Sequence, residues 1–228
     1  LLMGAMASFT LLDTSAKYAS QSLPILVGVF FRYAIALVFA AVIVWRAGGV
    51  ALLATRHPYL QVTRGLLLLA STMCNFTAMS YLQLAQTAAI FFTVPLLVCA
   101  LSVPLLGEHV GLRRWIAVAI GFLGVLLITR PGAGGIHWAA GFSVIGVLCY
   151  AAYAMMTRTL AGVDSSETTM LFSAAAGVVI LTPVVPFIWH AKPDGLTILI
   201  MLALGFWASL GHWLLILAHR HASAAVLA

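Results

Sequence analysis

Four polar side chains interrupt the long apolar runs of this sequence. Asp13 and Arg32 can carry charge, and Asn75 and His212 can exchange hydrogen bonds. A polar group among apolar neighbours is costly to desolvate, so it needs a hydrogen-bond partner or a hydrated cavity. These residue types predict contact with a polar solute, and Asp13 and His212 are also candidates for taking up and releasing a proton. The alternative for Asn75 and His212 is a hydrogen bond that holds neighbouring helices together.

The positions of Asp13 and Arg32 allow their side chains to meet. Each lies within about 12 Å of the same membrane face, given a rise of about 1.5 Å per residue. Lys17 follows one turn beyond Asp13 on the same helix face and can extend to the membrane interface. One interpretation is a structural ion pair with Lys17 as an anchor. The other is a charge cluster whose positive excess attracts an anionic or zwitterionic solute.

Aromatic residues near these positions offer stacking surfaces for a planar solute. Tyr150 and Tyr153 are three residues apart and share a helix face, while Trp207 and Trp213 lie on either side of His212 in the sequence. Contact with lipid or helix packing is the alternative for each aromatic residue. The predicted substrate-binding set is Asp13, Arg32, Asn75, Tyr150, Tyr153, Trp207 and His212.

The helices that carry these residues require a membrane. Of 228 residues, 64% are hydrophobic and only 7% are charged, which is more apolar surface than a water-soluble core can bury. A helix needs roughly 20 mostly apolar residues to cross a bilayer. The sequence therefore predicts an all-α polytopic membrane protein. The predicted spans are 1–19, 24–45, 62–81, 85–106, 114–129, 139–157, 169–189 and 196–218, with another starting at 222.

No sequence motif predicts a cofactor or a metal site. Cys74, Cys99 and Cys149 lie singly inside apolar runs, without the spacing of metal ligands. The net charge of +6 comes from basic residues scattered over short links, which argues against a nucleic-acid-binding surface. The expected partners are a small-molecule substrate and membrane lipid, and a homodimer is left open.

The chain contains an internal repeat at an offset of 137 positions. Small residues of the segment 84–90 recur in 221–227, and two further apolar runs align at the same shift. A unit of five helices crosses the membrane an odd number of times, so a second copy enters from the opposite face. This is the inverted repeat of secondary transporters. We predict a first repeat at 1–130 and a second at 139–228.

The offset also pairs Asn75 with His212 and Asp13 with Tyr150. Positions related by an inverted repeat converge near the membrane midplane, where this architecture binds its solute. The second repeat stops within its fourth helix. About 40 residues of a ten-helix, five-plus-five protein are therefore expected beyond the last residue, and the chain holds about eight and a half helices.

The distribution of Lys and Arg predicts a cytoplasmic N-terminus, because cytoplasmic loops retain an excess of these residues. With this orientation seven basic residues fall on inner loops or their flanks and three on outer loops. The inner set is Arg46, Arg56, Arg64, Arg113, Arg114, Arg158 and Arg220, and the outer set is Lys17, Arg130 and Lys192.

Three short motifs follow one another along the first repeat. Ala85-Gln86-Thr87-Ala88-Ala89 leads to Pro95-Leu96, Leu106-Gly107-Glu108 closes the fourth span, and the run 121–128 precedes Pro131. In this order and spacing the motifs resemble the EamA-type transporters of the drug/metabolite transporter superfamily. The resemblance implies ten helices, cytoplasmic termini, a central cavity between the two halves, and alternating access.

A narrower resemblance concerns the charged residues of the first two spans. Asp13, Lys17 and Arg32 are similar to the branch of the superfamily that includes proposed S-adenosylmethionine and riboflavin carriers. Three other residues are interpreted as structural. Glu108 is expected to fix a tight inner loop, and Gly121 and Gly124 are expected to allow close helix approach.

The function predicted from these observations is transport of a small organic metabolite across a bacterial cytoplasmic membrane, with proton coupling left open. A membrane receptor or scaffold is the alternative. An intramembrane enzyme is less favoured, because the sequence has no HExxH, no GxSxG and no clustered carboxylates. Direct use of ATP is not supported either, since the phosphate-binding motif GxxxxGK[ST] does not occur.

Overall fold

The protein folds into α-helices joined by short links. Its structure is a computed structural model that describes residues 1–21, 23–49, 54–107, 110–129, 137–161, 163–189 and 193–221. The all-α prediction is confirmed. The described helices are α1 (Leu2–Ala19), α2 (Ile25–Ala47), α3 (Pro58–Tyr81), α4 (Leu84–Phe91), α5 (Val94–Leu106), α6 (Leu112–Thr129), α7 (Ala140–Leu160), α8 (Ser166–Leu181), α9 (Val185–Ile188) and α10 (Gly195–His221).

Four described stretches are long and apolar enough to cross a membrane. They are Ile25–Ala47, Leu84–Leu105, Ala140–Leu160 and Gly195–Ala218. Large apolar side chains remain exposed along these helices, as Val38 and Leu202 show. In a bilayer such side chains face lipid, because lipid tails are as apolar as the side chains themselves. The polytopic membrane fold is therefore confirmed.

Prolines divide two of the predicted spans. The span 85–106 is α4 followed by α5, with a turn at Phe92 and Thr93 and Pro95 in the first turn of α5. Proline has no backbone N–H and its ring clashes with the preceding turn, which favours a break at these two positions, although α5 continues through Pro104. The span 169–189 likewise ends at Leu181, and a turn containing Pro183 separates it from the single turn of α9.

The helices pack in pairs, and the offset of 137 positions relates one pair to another. The offset relates α1 to α7, α2 to α8 and α3 to α10, and α10 begins 137 positions after α3 begins. In space α1 packs along α10, and α7 packs along α3. The helix α2 packs along α8, its own counterpart. The core of the bundle is therefore built from contacts between the two halves of the sequence.

Glycines allow the closest of these helix contacts. A Cβ atom at Gly177 of α8 would lie 2.3 Å from the Tyr33 ring, and one at Gly205 of α10 would lie 2.2 Å from the Cβ of Ile35. Both contacts bring α2 against the second half of the chain. Around Gly121 and Gly124, by contrast, no described atom lies within 4 Å of such a Cβ. Their packing role stays a prediction.

Some predicted features lie outside the described residues. These are Glu108, the outer-loop cations Arg130 and Lys192, and the span that begins at 222.

Candidate functional site

A buried hydrogen-bonded cluster joins three helices in the interior of the bundle. Arg32 projects from α2 with only 4% of its surface exposed. One terminal nitrogen donates to Thr72 Oγ1 of α3 at 2.9 Å, and the other donates to His212 Nε2 of α10 at 2.8 Å. Tyr33 Oη lies 3.2 Å from the same Thr72 oxygen. We call Arg32, Tyr33, Thr72 and His212 the Arg32 cluster.

The cluster fixes the protonation of the histidine ring. A guanidinium has donors and no acceptor, so His212 Nε2 must accept the hydrogen bond from Arg32. The ring proton then sits on Nδ1, which is buried and has no hydrogen-bond partner among the described residues. His212 therefore presents one unused donor in this conformation.

Aromatic side chains enclose the histidine. The ring of Phe9 lies 5.0 Å from the His212 ring, and the ring of Tyr153 lies 6.0 Å from it, both edge to face. Tyr150 lies 5.5 Å from Tyr153 on the same face of α7, as the sequence predicted. Tyr153 is fully buried, and its hydroxyl makes no hydrogen bond of normal geometry in the described structure, although it interacts with the Arg64 guanidinium. Aromatic side chains of α1 and α7 thus pack around His212.

A small cavity lies beside the Arg32 cluster. Its volume is about 20 Å³, which is room for about one water molecule. An organic solute can enter only if the surrounding helices move apart. The polar side chains lining the cavity are those of Arg32, Tyr33, Tyr153, Ser173, Ser209 and His212.

Asp13 and Asn75 lie next to the cluster rather than within it. The Asp13 carboxylate interacts with the Asn75 side chain and, at longer range, with the positive charge of Arg32. The terminal nitrogens of Arg32 are taken up by Thr72 and His212. The direct ion pair considered from the sequence is thus replaced by a longer-range attraction. Asn75 Oδ1 is buried without a hydrogen-bond partner among the described residues.

Lys17 does not join Asp13 either. Its ammonium group donates to the backbone oxygens of Met79 at 2.6 Å and Leu82 at 2.9 Å. These carbonyls lie at the C-terminal end of α3, where a positive charge is favourable. Lys17 therefore anchors the end of α1 to the end of α3.

Trp207 and Tyr150 were predicted to line the site together with Tyr153. Tyr153 lines the cavity. Tyr150 is not among the residues that line the described cavity, and its ring contacts those of Tyr153 and Phe91. Trp207 packs against the apolar core and lies 5.0 Å from the ring of Phe206. It is not among the residues that line the described cavity.

Arg64 is a buried cation that the sequence interpretation missed. It was assigned to an inner-loop flank, yet its side chain is fully buried in α3. It donates to Thr157 Oγ1 of α7 at 3.1 Å, and to the Thr169 carbonyl and the Ser173 hydroxyl of α8. Its guanidinium carbon also lies 5.2 Å from the centre of the Tyr153 ring. Arg64 therefore ties α3 to both helices of the second half that it contacts.

A second polar link connects the loops beyond Arg64. The carboxylate of Asp164 accepts hydrogen bonds from the Thr55 hydroxyl, from Gln61 Nε2 at 2.8 Å and from the Arg56 backbone N–H at 3.3 Å. Burial opposes ionisation of this carboxyl, but the three hydrogen bonds outweigh it and hold the pKa of Asp164 below its usual range. We call this contact the Asp164 link, and the end of the bundle that carries it the Asp164 face.

Residues 1–130 match the model of the EamA-like transporter family. The chain belongs to the EamA-like transporter family. As a member of the drug/metabolite transporter superfamily, it is a multi-pass membrane transporter of small metabolites and not an enzyme. The family resemblance noted from the sequence motifs is confirmed.

Several curated bacterial transporters are similar to this EamA-like protein. A riboflavin transporter of Rhizobium johnstonii is 29% identical, over 96% of this chain and 72% of the relative. An S-adenosylmethionine uptake transporter of Rickettsia felis is 23% identical, over 87% of this chain and 67% of the relative. A pseudopaline exporter of Pseudomonas aeruginosa is 29% identical, over 100% of this chain and 80% of the relative.

The fold of this EamA-like protein also matches a solved crystal structure. The two superimpose with a TM-score of 0.76 at 18% sequence identity, covering 99% of this chain and 80% of the other. At this level of identity the match shows the fold alone.

Proposed function

We propose that this protein is a secondary transporter that moves a small organic metabolite across a bacterial cytoplasmic membrane by alternating access. The Arg32 cluster carries this proposal, because it is a buried polar site in the interior of a membrane protein. Groups of this kind are costly in a bilayer and mark solute pathways. The transported solute occupies an enlarged form of the cavity beside Arg32 and His212.

Two repeats form the moving parts in this proposal. The first comprises residues 1–130 and the second residues 139–228. The proposal is supported by the packing of α1 on α10 and of α7 on α3, which the sequence offset interchanges. The Arg32 cluster spans both repeats, since Arg32 belongs to one and His212 to the other. A rocking motion between repeats therefore changes access to the site.

The Asp164 face is the cytoplasmic face in this proposal. Arg46 ends α2 there, Arg56 lies in the following link and Arg158 lies in the last turn of α7. An excess of basic residues is typical of cytoplasmic loops. The N-terminus is then cytoplasmic, and the contacts of Arg64 and the Asp164 link close the cytoplasmic side in the described conformation.

Asp13 and His212 are the proposed proton-coupling residues. Asp13 acts on Arg32 through charge attraction, and His212 accepts a hydrogen bond from it. A proton added to either residue weakens its attraction for the guanidinium. Binding of the solute and binding of the proton are therefore coupled through Arg32. The sign of the coupling follows from flux measured under an imposed proton gradient.

The names of the relatives define which solutes to test. They include riboflavin, S-adenosylmethionine and pseudopaline. The full chain, reconstituted in proteoliposomes, is screened for flux of labelled riboflavin, S-adenosylmethionine, amino acids and nucleosides, with and without a proton gradient. Flux above that of protein-free liposomes is expected for at least one solute. Absence of flux for every solute contradicts transport by this chain and favours a receptor or scaffold.

The same assay tests the site. The variants Asp13→Asn and His212→Ala are expected to reduce flux, because each removes a group that interacts with Arg32. Flux that is unchanged in both variants contradicts the site assignment while leaving the transport function intact.

A further inference from the structure

The cavity-lining residues have buried polar atoms without a hydrogen-bond partner, and all of these atoms can donate. Three buried polar atoms of cavity-lining residues make no hydrogen bond of normal geometry in the described structure: Arg32 Nε, Tyr153 Oη and His212 Nδ1. Arg32 Nε is always a donor, and His212 Nδ1 is a donor because Nε2 accepts from Arg32. Arg64 interacts with the Tyr153 hydroxyl, and because a guanidinium can only donate, the hydroxyl keeps its own proton to donate. The residues that line the cavity therefore hold unsatisfied donors.

The cavity lining is positively charged, which favours an anion, as its hydrogen-bond donors also do. Arg32 is the charged residue among those that line the described cavity, and a guanidinium keeps its charge in proteins. Asp13 does not line this cavity, and its carboxylate interacts with Asn75 and, from a distance, with Arg32. The site thus presents one full positive charge with several donors, which suits a singly charged oxyanion.

Arg64, which does not line the cavity, makes the Tyr153 hydroxyl a stronger hydrogen-bond donor. Its guanidinium stacks on the Tyr153 ring, with its carbon 5.2 Å from the ring centre. A cation on the face of a phenol withdraws electron density from the ring, so the hydroxyl becomes a better hydrogen-bond donor. Ser173, which accepts from Arg64, lines the cavity. Arg32 therefore lines the cavity directly, and Arg64 contacts two of the other lining residues, Tyr153 and Ser173.

We propose that the central cavity binds the carboxylate of a zwitterionic or anionic solute through Arg32, His212 Nδ1 and the Tyr153 hydroxyl. A carboxylate has two oxygens that accept several hydrogen bonds, and its pairing with a guanidinium is a strong, directional contact. The rings of Phe9 and Tyr153, which pack edge to face on His212, provide aromatic surface beside this group. This inference rests on the proposed transport function and adds the chemical class of the solute.

Matched pairs of solutes test the proposal. S-adenosylmethionine is compared with decarboxylated S-adenosylmethionine, and tryptophan with tryptamine, because each pair differs only by the carboxylate. Riboflavin and its monophosphate form a third pair that separates carboxylate from phosphate recognition. Binding to the purified full chain is measured by thermal stabilisation, and flux is measured in proteoliposomes. At least one carboxylate solute is expected to bind about tenfold or more tightly than its decarboxylated partner.

Two variants, with a third as control, test Tyr153 and Arg32 as the groups that recognise the carboxylate. Tyr153→Phe keeps the ring but removes the hydroxyl, and Arg32→Lys keeps the charge but removes the forked donors. Both are expected to reduce the preference for the acid over the decarboxylated partner. Arg46→Lys, at an exposed position of the same helix, is the control and should keep the preference. Because the readout is a ratio within one protein sample, a partial loss of folded protein does not alter it.

The outcomes separate this inference from the function on which it rests. Equal binding of both members of every pair, or binding of riboflavin alone, overturns carboxylate recognition even when flux is present. Preference for the monophosphate over riboflavin and over all carboxylates also overturns it. Absence of both flux and binding for every solute overturns the transport function, and the inference with it.

Discussion

Arg32 depends on neutral partners for both of its terminal nitrogens. Thr72 and His212 accept from it, and the Tyr33 hydroxyl shares the Thr72 oxygen. A buried donor that loses its partner costs about 1–3 kcal/mol, and more when it is charged. Thr72 therefore positions Arg32 without being required to touch the solute.

The substitution Thr72→Val tests this positioning role. It keeps the shape of the side chain but leaves one Arg32 nitrogen without an acceptor, so we expect a fall in flux at low solute concentration of about tenfold. The control is Thr77→Val on the same helix, because the Thr77 hydroxyl donates only to the carbonyl of its own helix at Met73. Equal flux in the two variants contradicts the role of Thr72.

Sequence reasoning singled out some members of the buried polar network and overlooked others for physical reasons. Asp13, Arg32 and His212 stood out because they interrupt apolar runs, and the structure places all three near one cavity. Arg64 was assigned to a loop flank because the third span was predicted to begin at 62, whereas α3 begins at Pro58. Its partners lie on α7 and α8, about 90 or more positions away along the chain, and only the fold brings them together.

At the scale of helices, the contact between α2 and α8 leaves no room for a side chain at Gly177. An added methyl group would meet the ring of Tyr33, which belongs to the Arg32 cluster. Gly177→Ala is therefore expected to lower the free energy of unfolding by about 1–3 kcal/mol and to lower flux as well. Gly28→Ala is the matched control, since a Cβ there has no atom within 4 Å. Thermal unfolding compares the two, and an equal melting temperature contradicts the predicted clash.

The Asp164 link joins two loops and has a defined response to pH. Hydrogen bonds hold the pKa of Asp164 below its ordinary value of 3.8, even though burial opposes this. The stabilisation is therefore fully present above the ordinary pKa and is lost only as the pH falls through the lower, folded value. The contribution of the link to stability is expected to be constant between about pH 5 and pH 8.

Asp164→Asn measures the contribution of this link. Loss of the charge weakens three hydrogen bonds, and we expect a decrease of about 1 kcal/mol, or about 2–4 °C in melting temperature. The control is Asp194→Asn, because Asp194 is exposed and its hydrogen bonds are local, to the Thr197 N–H at 2.9 Å and to the Thr197 side chain, and Asn can also cap this turn. A difference between wild type and Asp164→Asn that changes with pH between 5 and 8 contradicts the assigned pKa direction.

Most helices could be predicted from sequence, but two of the predicted spans are each divided into two helices. The first span, 1–19, corresponds to Leu2–Ala19, and apolar composition alone was enough to find it. The spans that contain Pro95 and Pro183 are broken in the structure. Composition averages over about 20 residues and therefore passes across a proline, whereas the backbone responds to the single missing N–H.

At the scale of the whole molecule, the two proposed repeats meet where α3 packs on α7. An ideal Cβ at Gly146 would lie 3.4 Å from the Cβ of Cys74 and 3.3 Å from Cζ of Phe91. The first distance is just below the separation of about 3.5–4.5 Å found in disulfides, so a small shift of either helix or of the Phe91 ring brings the pair into range. Gly146→Cys is therefore expected to form a disulfide with Cys74 under mild oxidation. The bond would join the two repeats covalently.

If transport needs motion between the repeats, oxidation of the Gly146→Cys variant should abolish flux and a reductant should restore it. The Cys149→Ser background removes the other cysteine of α7, and Cys74→Ser in the same background provides the control without a disulfide. Disulfide formation is checked by mass spectrometry. Full flux through the oxidised, cross-linked protein contradicts alternating access by relative motion of the repeats.

The central claim is that the buried Arg32 cluster binds the transported solute, and Arg32→Lys tests it most directly. Lysine keeps the positive charge but cannot donate to Thr72 and His212 in the forked geometry of arginine. Concentration-dependent flux of the transported solute is measured for wild type, Arg32→Lys and Arg46→Lys at equal amounts of reconstituted protein. We predict that kcat/KM falls about tenfold or more in Arg32→Lys and is unchanged in Arg46→Lys. The same kcat/KM in all three proteins would contradict the claim.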